Sequence, residues 1–494
     1  MKLRVRALLL VLCVTLSVSC LQAAKNVILL IGDGMGMTQI GCLMTHRKGL
    51  KMPPSTLEKL LTAAPTGFIK TTSLGFAVTD SAAAATALAC GKKTLTDVLG
   101  MDGKGRALDS SLEIAEKKGK WTGLISTHRL TDATPGAFYA SVPTRDWQSQ
   151  IAAALLESGV EVALGGGLRY FIPSDEKISS RFPFMKAWKP WNDKSGRRDS
   201  RDLLNEFSAA GYELVHDRKS LSNVDVNETN KLLGLFSPHD MAFDIDRQTD
   251  DKYQPSLLEM TQKAVGVLEK SPTGFFLMVE GASIDSTAHH NDSGAMLGEL
   301  KAFDKAVGFC LDYAKKNRDT LVIVTADHGT GGPGFAYRVK WKEKLKQKFE
   351  GDFTWKEKYD YVSYPAAGAI EKQRSSFLRM AIKSEMVPQR LVEVVRQYTN
   401  YKFTLADAKE VLAPAPSKKG PMVADEWFDF HPDPNHYRSA LLSKIFARQT
   451  GVVFATGTHT GTPVPIMAFG PGSGGVRGLH DNTWVHHYVN HCLR

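Results

Sequence analysis

Short, mostly apolar runs recur along the chain, and most of them end at or close to a glycine or an acid. Asn26 to Ile31 is the first, and it stops at Gly32-Asp33-Gly34-Met35-Gly36. A strand without alternation is buried on both faces, and the glycines mark the turn that leaves it. Trp121–Ser126, Val160–Leu164, Gly274–Val279, Leu321–Thr325 and Val464–Phe469 repeat the pattern. Helical periods lie between them, as in Leu257–Leu268 and Met296–Lys315. Strands alternating with helices predict an α/β fold, a mainly parallel central sheet sandwiched by helices.

Two stretches break the rhythm. Residues 173–227 are polar, basic and poor in strand signals, which reads as an insertion. Residues 333–450 read as a mostly helical accessory insertion, a crown-like cap over one edge of the sheet, with Leu391–Tyr398 as one helix. The core is then expected over 25–332, completed by 451–494. Residues 1–24 read as a signal peptide. Lys2, Arg4 and Arg6 precede an apolar run, Ala7–Val18, that is too short to span a bilayer, and small residues follow at Ala23 and Ala24. A secreted or periplasmic protein is expected. Lipoprotein cleavage before Cys20 is the lesser alternative, and no later stretch reads as transmembrane.

Composition narrows the class. Of 494 residues, 43% are hydrophobic and 23% charged, which excludes wholesale disorder. The net charge is +10, of which three charges sit in the leader. Its basic runs, Lys186–Arg201 and Arg338–Lys348, read as solvated faces, or as a field that draws in anionic substrates, and no nucleic-acid recognition motif accompanies them. Outside the leader the cysteines are Cys42, Cys90, Cys310 and Cys492, scattered without paired spacing. They allow two disulfides in three pairings, or buried thiols.

The chemistry gathers where strands end. Asp33, Asp132, Glu280, Asp285 and Asp327 all follow predicted strands, at the edge where open α/β sheets bind ligands. Asp285 and His289 are four apart, hence on one side of a helical turn. Asp327-His328 is a second acid–histidine pair, and His459 sits in a turn. Carboxylate and imidazole together suit zinc. Asp33, Asp132, Thr134 and Glu280 offer hard oxygens, which suit magnesium. In Val78–Ala87, Asp80 or Ser81 can cap a helix that the alanines propagate, with the Ser81 oxygen at its positive end.

These motifs, in this order, resemble the alkaline phosphatase family: Gly32–Gly36, Thr79-Asp80-Ser81-Ala82, Asp132-Ala133-Thr134-Pro135, Val279-Glu280-Gly281, Ile284-Asp285, His289, Thr325-Ala326-Asp327-His328 and His459-Thr460-Gly461. The resemblance spans residues 25–332 and again 459–494. It implies a phosphomonoesterase in which Ser81 becomes a phosphoserine. It implies Asp285, His289 and His459 as ligands of a first zinc, and Asp33, Asp327, His328 and the Ser81 oxygen as ligands of a second. Asp33, Asp132, Thr134 and Glu280 would hold magnesium. Arg145, 13 positions after Asp132, would grip phosphate, and a homodimer is implied. Phosphate monoesters are then the substrates and inorganic phosphate the product. Ser286 departs from relatives that carry lysine or histidine there, which leaves phosphate affinity open. The rivals are a diesterase or nucleotide pyrophosphatase of the same superfamily, and a non-catalytic metal-binding surface protein.

Overall fold

The computed structural model describes residues 23–185, 193–339, 345–348, 354–357, 359–360, 362–414 and 434–493. Residues 1–22 of the expected leader lie outside them. Ten strands form one sheet. In chain order they are β1 (Asn26–Gly32), β2 (Thr66–Lys70), β3 (Trp121–Arg129), β4 (Val162–Gly166), β5 (Glu213–Val215), β6 (Leu232–Leu235), β7 (Phe275–Gly281), β8 (Thr320–Thr325), β9 (Val464–Phe469) and β10 (Gly478–Asp481). Across the sheet they lie in the order β10-β2-β9-β8-β1-β7-β3-β4-β6-β5. Every residue of β1, β7 and β8 is buried, which is why their sequences show no alternation.

All neighbours pair in parallel except β9, which runs antiparallel to both β8 and β2. The reversal has a consequence for function. Met467 pairs with Val324, so β9 begins at the edge where β8 ends, and the turn before it brings His459 to that edge.

Four strands escape the apolar-run signal: β2, β5, β6 and β10. They are short, and β2 and β10 are only partly buried. The 173–227 stretch therefore feeds the sheet: it carries the edge strand β5 as well as the short helices Leu203–Ala209 and Arg218–Asn223. The helix Leu257–Leu268 has the predicted bounds, and Met296–Lys315 lies within a helix spanning Ser293–Lys316.

The 333–450 stretch has its own apolar cluster. Helices Phe377–Lys383, Pro388–Tyr398, Leu405–Leu412 and Pro434–Thr450 bury Phe377, Leu391, Val395, Val411, Leu442 and Phe446 together. It also holds two small ribbons, Arg338–Val339 with Tyr359–Asp360 and Leu345–Lys348 with Thr354–Glu357, which a mostly helical expectation omits. Buried polar contacts fasten it to the core. Asp292 caps the Ser293–Lys316 helix and also accepts the Phe377 N–H at 2.5 Å. Arg379 donates to Asp250 and Asp251 at 2.9 and 2.5 Å. Hydrogen bonds to charged groups are worth about 1.5–3 kcal/mol each.

Cys42, Cys90, Cys310 and Cys492 form no disulfide; all four are buried thiols. Among the described residues no helix is long and apolar enough to cross a membrane.

Candidate active site

Helix Ser81–Cys90 is built from small residues and every one of its ten residues is buried. Asp80 is the cap: its carboxylate accepts from the backbone N–H of Ala82 and Ala83, at 3.3 and 3.0 Å. Ser81 is thus the first helical residue, with its side chain in the field of the helix N-terminus. Its Oγ lies 3.2 Å from His328 Nε2.

The parallel register brings the other groups to the same place. Ile31 pairs with Glu280 on one side and Thr325 on the other, so the segments after β1, β7 and β8 emerge together. Gly34, at φ +70°, makes the closest approach. A Cβ there would stand 2.8 Å from Asp285 Cα, so only glycine fits. Its N–H donates to Asp327 Oδ1 at 3.1 Å.

Two groups of ligand-type side chains result. Asp285, His289 and His459 form one, with their ligand atoms within 4.8 Å of one another. His289 uses Nδ1 on the Gly457 carbonyl, at 2.6 Å, and His459 uses Nδ1 on the Thr79 carbonyl, at 2.8 Å. Both rings therefore turn Nε2 inward, where the two nitrogens face each other at 3.0 Å. Asp285 Oδ2 lies 3.2 Å from His289 Nε2, and its Oδ1 lies 3.6 Å from His459 Nε2. Donor atoms converging in this way suit a divalent cation, and carbonyl-anchored Nδ1 is the usual arrangement behind a metal-ligating imidazole. Asp33, Asp327 and His328 form the second group. Asp33 Oδ1 and Asp327 Oδ2 are buried with no hydrogen-bond donor aimed at them. His328 Nε2 approaches them at 3.6 and 3.0 Å. Both donor sets fit divalent ions.

The charges agree with this. Burial pushes Asp33 well above the usual carboxylate range, and Asp327, Asp285, Glu280 and Asp132 push it further. Burial likewise lifts Glu280 to about 7. Asp33 thus feels the charge of all four other acids expected at this edge.

Asp132 stands apart. Its Oδ1 accepts from Arg129 Nη2 and Arg145 Nη2, both at 2.8 Å, and from the Ala133 N–H. Its Oδ2 lies 2.9 Å from His128 Nδ1. Burial opposes ionisation, yet Arg129, Arg145 and His128 hold this carboxyl well below its ordinary value. Arg145 also reaches Asp80, beside Ser81, at 3.9 Å. Thr134 is buried in the same turn, and Glu280 accepts from Ser126 Oγ at 2.5 Å.

Known proteins carry the same plan. A sequence model described as "Alkaline phosphatase" matches residues 24–494. The chain belongs to the alkaline phosphatase family. It is accordingly an enzyme, a phosphoric monoester hydrolase. It is 33% identical to alkaline phosphatase 4 of Bacillus subtilis over 467 residues, 93% of this chain and 86% of that one. It is 35% identical to the Escherichia coli alkaline phosphatase over 374 residues, 65% of this chain and 75% of that one. The fold is similar to that of Thermus thermophilus alkaline phosphatase, with a TM-score of 0.79 and 28% identity over 96% of this chain and 92% of that one. It is also similar to a histidine-to-aspartate mutant of the TAB5 alkaline phosphatase with Mg bound in its M3 site, at a TM-score of 0.61 and 26% identity over 95% and 97%.

Against that family plan, the sequence left out His128 and Asp240. They join Asp132 in a third group of ligand-type side chains. Arg129 donates to both carboxylates of that group, so a guanidinium already serves them. His128 Nε2 also lies 3.0 Å from Ser286 Oγ. The signal was available, since His128 is four residues before Asp132, but it falls in the loop expected after Ser126, whereas the strand continues to Arg129.

Proposed function

We propose that this chain is a secreted or periplasmic alkaline phosphatase that hydrolyses phosphate monoesters through a covalent phosphoserine on Ser81. Asp285, His289 and His459 would hold one zinc ion. Asp33, Asp327, His328 and the Ser81 oxygen would hold a second. Asp33, Asp132, Thr134 and Glu280 would hold magnesium. Magnesium in the TAB5 aspartate mutant supports that ion for an aspartate-bearing third site. Divalent ions so placed favour ionised serine and water and balance charge on the attacking and leaving oxygens.

The chain's own groups supply the rest. Ser81 Oγ forms the bond to phosphorus as the leaving oxygen departs, and the helix N-terminus favours the negative charge gathered there. Asp80 fixes that helix start. Arg145 presents a planar fork suited to two phosphate oxygens, and Asp132 with Asp80 steers it. Water then attacks phosphorus, the Ser81 oxygen leaves, and inorganic phosphate is released.

The observation that carries the proposal is Ser81 Oγ at the start of a buried helix, 3.2 Å from His328 in the Asp33–Asp327–His328 group. The leader motif supports export, and family membership supports a homodimer. Comparing nitrophenyl phosphate with its bis-ester tests the substrate class. A faster monoester is expected; a faster diester would favour the diesterase. No turnover of either ester would favour a metal-binding surface protein.

A further inference from the structure

A cavity of about 300 Å³ opens beside this site. Ser286 and His289 line it on the side of the site, together with Met241, Phe243, His290 and His436. The walls come from three separate parts of the chain: the loop after β6, the turn after β7, and the accessory helices Phe377–Lys383 and Pro434–Thr450. Rings dominate them. His436 stacks on His289 at 5.8 Å and 8°, and meets His290 edge-on at 4.2 Å. Phe243 meets the other side of His290 edge-on at 6.1 Å.

The charged groups of the lining are already neutralised. Asp240 pairs with Arg129 at 2.9 Å. Asp246 accepts from Ser375 and Ser376, and Arg379 donates to Asp250 and Asp251. A leaving group bearing further phosphates would meet cations that are already engaged. A flat uncharged ring would meet aromatic edges and faces, in a volume at the lower end of ordinary ligand pockets, about 300–1,000 Å³.

We propose that this cavity receives the alcohol portion of the substrate, and that it selects monoesters of uncharged, ring-bearing alcohols, whether arylalkyl or nucleoside. The inference rests on the function proposed above, because it needs phosphate held between Ser81 and Arg145. His289 then links phosphate and pocket, since it belongs to the first ligand group and also borders the cavity.

The test compares benzyl phosphate and adenosine monophosphate with glycerol phosphate, whose leaving alcohols are of similar acidity. Both ring-bearing esters should show kcat/KM about tenfold above glycerol phosphate, mainly through KM, as expected for one well-packed ring. Phe243→Ala should remove most of that advantage, with a much smaller change on glycerol phosphate. Leu378→Trp, which fills the cavity without emptying a core position, should do the same, and unchanged melting temperatures would show that both variants fold. A preference for benzyl phosphate alone would still support the ring pocket, with a nucleoside too long for it. Preference for adenosine monophosphate alone would support it as a nucleoside site. Equal rates on all three esters, or equal losses on all three in the variants, would overturn the inference. Trapping phosphate on Ser81 separates the two proposals: a labelled serine without ring preference sinks only the pocket, and an unlabelled serine sinks the function itself.

Discussion

Asp327 and Asp132 are both buried acids at strand ends, each beside a histidine, and their surroundings are opposite. Asp327 Oδ2 has only the His328 ring within reach, at 3.0 Å, and stands among other acids. Asp132 is saturated by Arg129, Arg145 and His128. The protein balances the second charge with its own cations, while around the first it gathers carboxylates and inward-facing imidazole nitrogens. The His328 ring offsets only part of the charge on Asp33 and Asp327, so that side would be completed by a cation. Similar sequence signals therefore meet two surroundings: the acids and imidazoles around Asp327 would be completed by metal ions, whereas Asp132 sets the position of Arg145 and would in addition lend an oxygen to magnesium.

The comparison can be broken most strongly on the incomplete side. His459→Ala should lose one zinc and about a hundredfold or more in turnover, with partial recovery in excess zinc, because a third of that ligand set is gone. Full activity with unchanged zinc content would mean that His459 is only a turn residue. On the saturated side, Arg145→Ala should raise KM for monoesters by about ten- to hundredfold, since a charge-assisted fork is worth about 1.5–3 kcal/mol. Metal content should stay the same. Equal weakening of diesters would remove the distinction between the two substrate types.

Ser286→Lys gives a smaller effect. It would add a cation beside His128 and near bound phosphate. Inhibition by phosphate should tighten by about tenfold or less after solvent screening, and turnover at alkaline pH should slow. An unchanged inhibition constant would show that residue 286 does not act on phosphate.

Glu299 is a control for buried acids away from the ligands. Burial, with Asp244 adding, pushes it up to about 8 from 4.5. A raised carboxyl favours folding below its unfolded value, and that contribution fades as pH climbs from about 4.5 to about 8. Melting temperature with metals saturating should fall across that window. Glu299→Gln, which keeps an acceptor for the Asp244 N–H at 2.5 Å, should flatten the fall. An unaltered slope would place the titration elsewhere.

Much of this was legible in the sequence because the central strands are buried on both faces. Runs such as Val27–Ile31 carry that burial openly, and acids just after them announce the ligand edge. The flanking strands β2 and β10 are short and partly exposed, so their sequences resemble loops. The reversed direction of β9 depends on pairing with β8 and β2, which local pattern does not encode. His128 meets Asp132 within its own segment, but Asp240 joins them only through tertiary contacts between β3 and the loop after β6. One helix of the accessory segment, Leu391–Tyr398, was visible from its periodicity, but the imidazole wall at His436 depends on how that segment docks through Asp292 and Arg379.

The central claim is that Ser81 is the group phosphorylated in the cleft. Its most direct test is to mix the metal-loaded enzyme with labelled inorganic phosphate, quench in acid, and map the label by peptide mass. The account predicts a phosphoryl group on Ser81, absent in Ser81→Ala, whose turnover should fall about a thousandfold or more while its metals remain. Label elsewhere, or label persisting in Ser81→Ala, would contradict it.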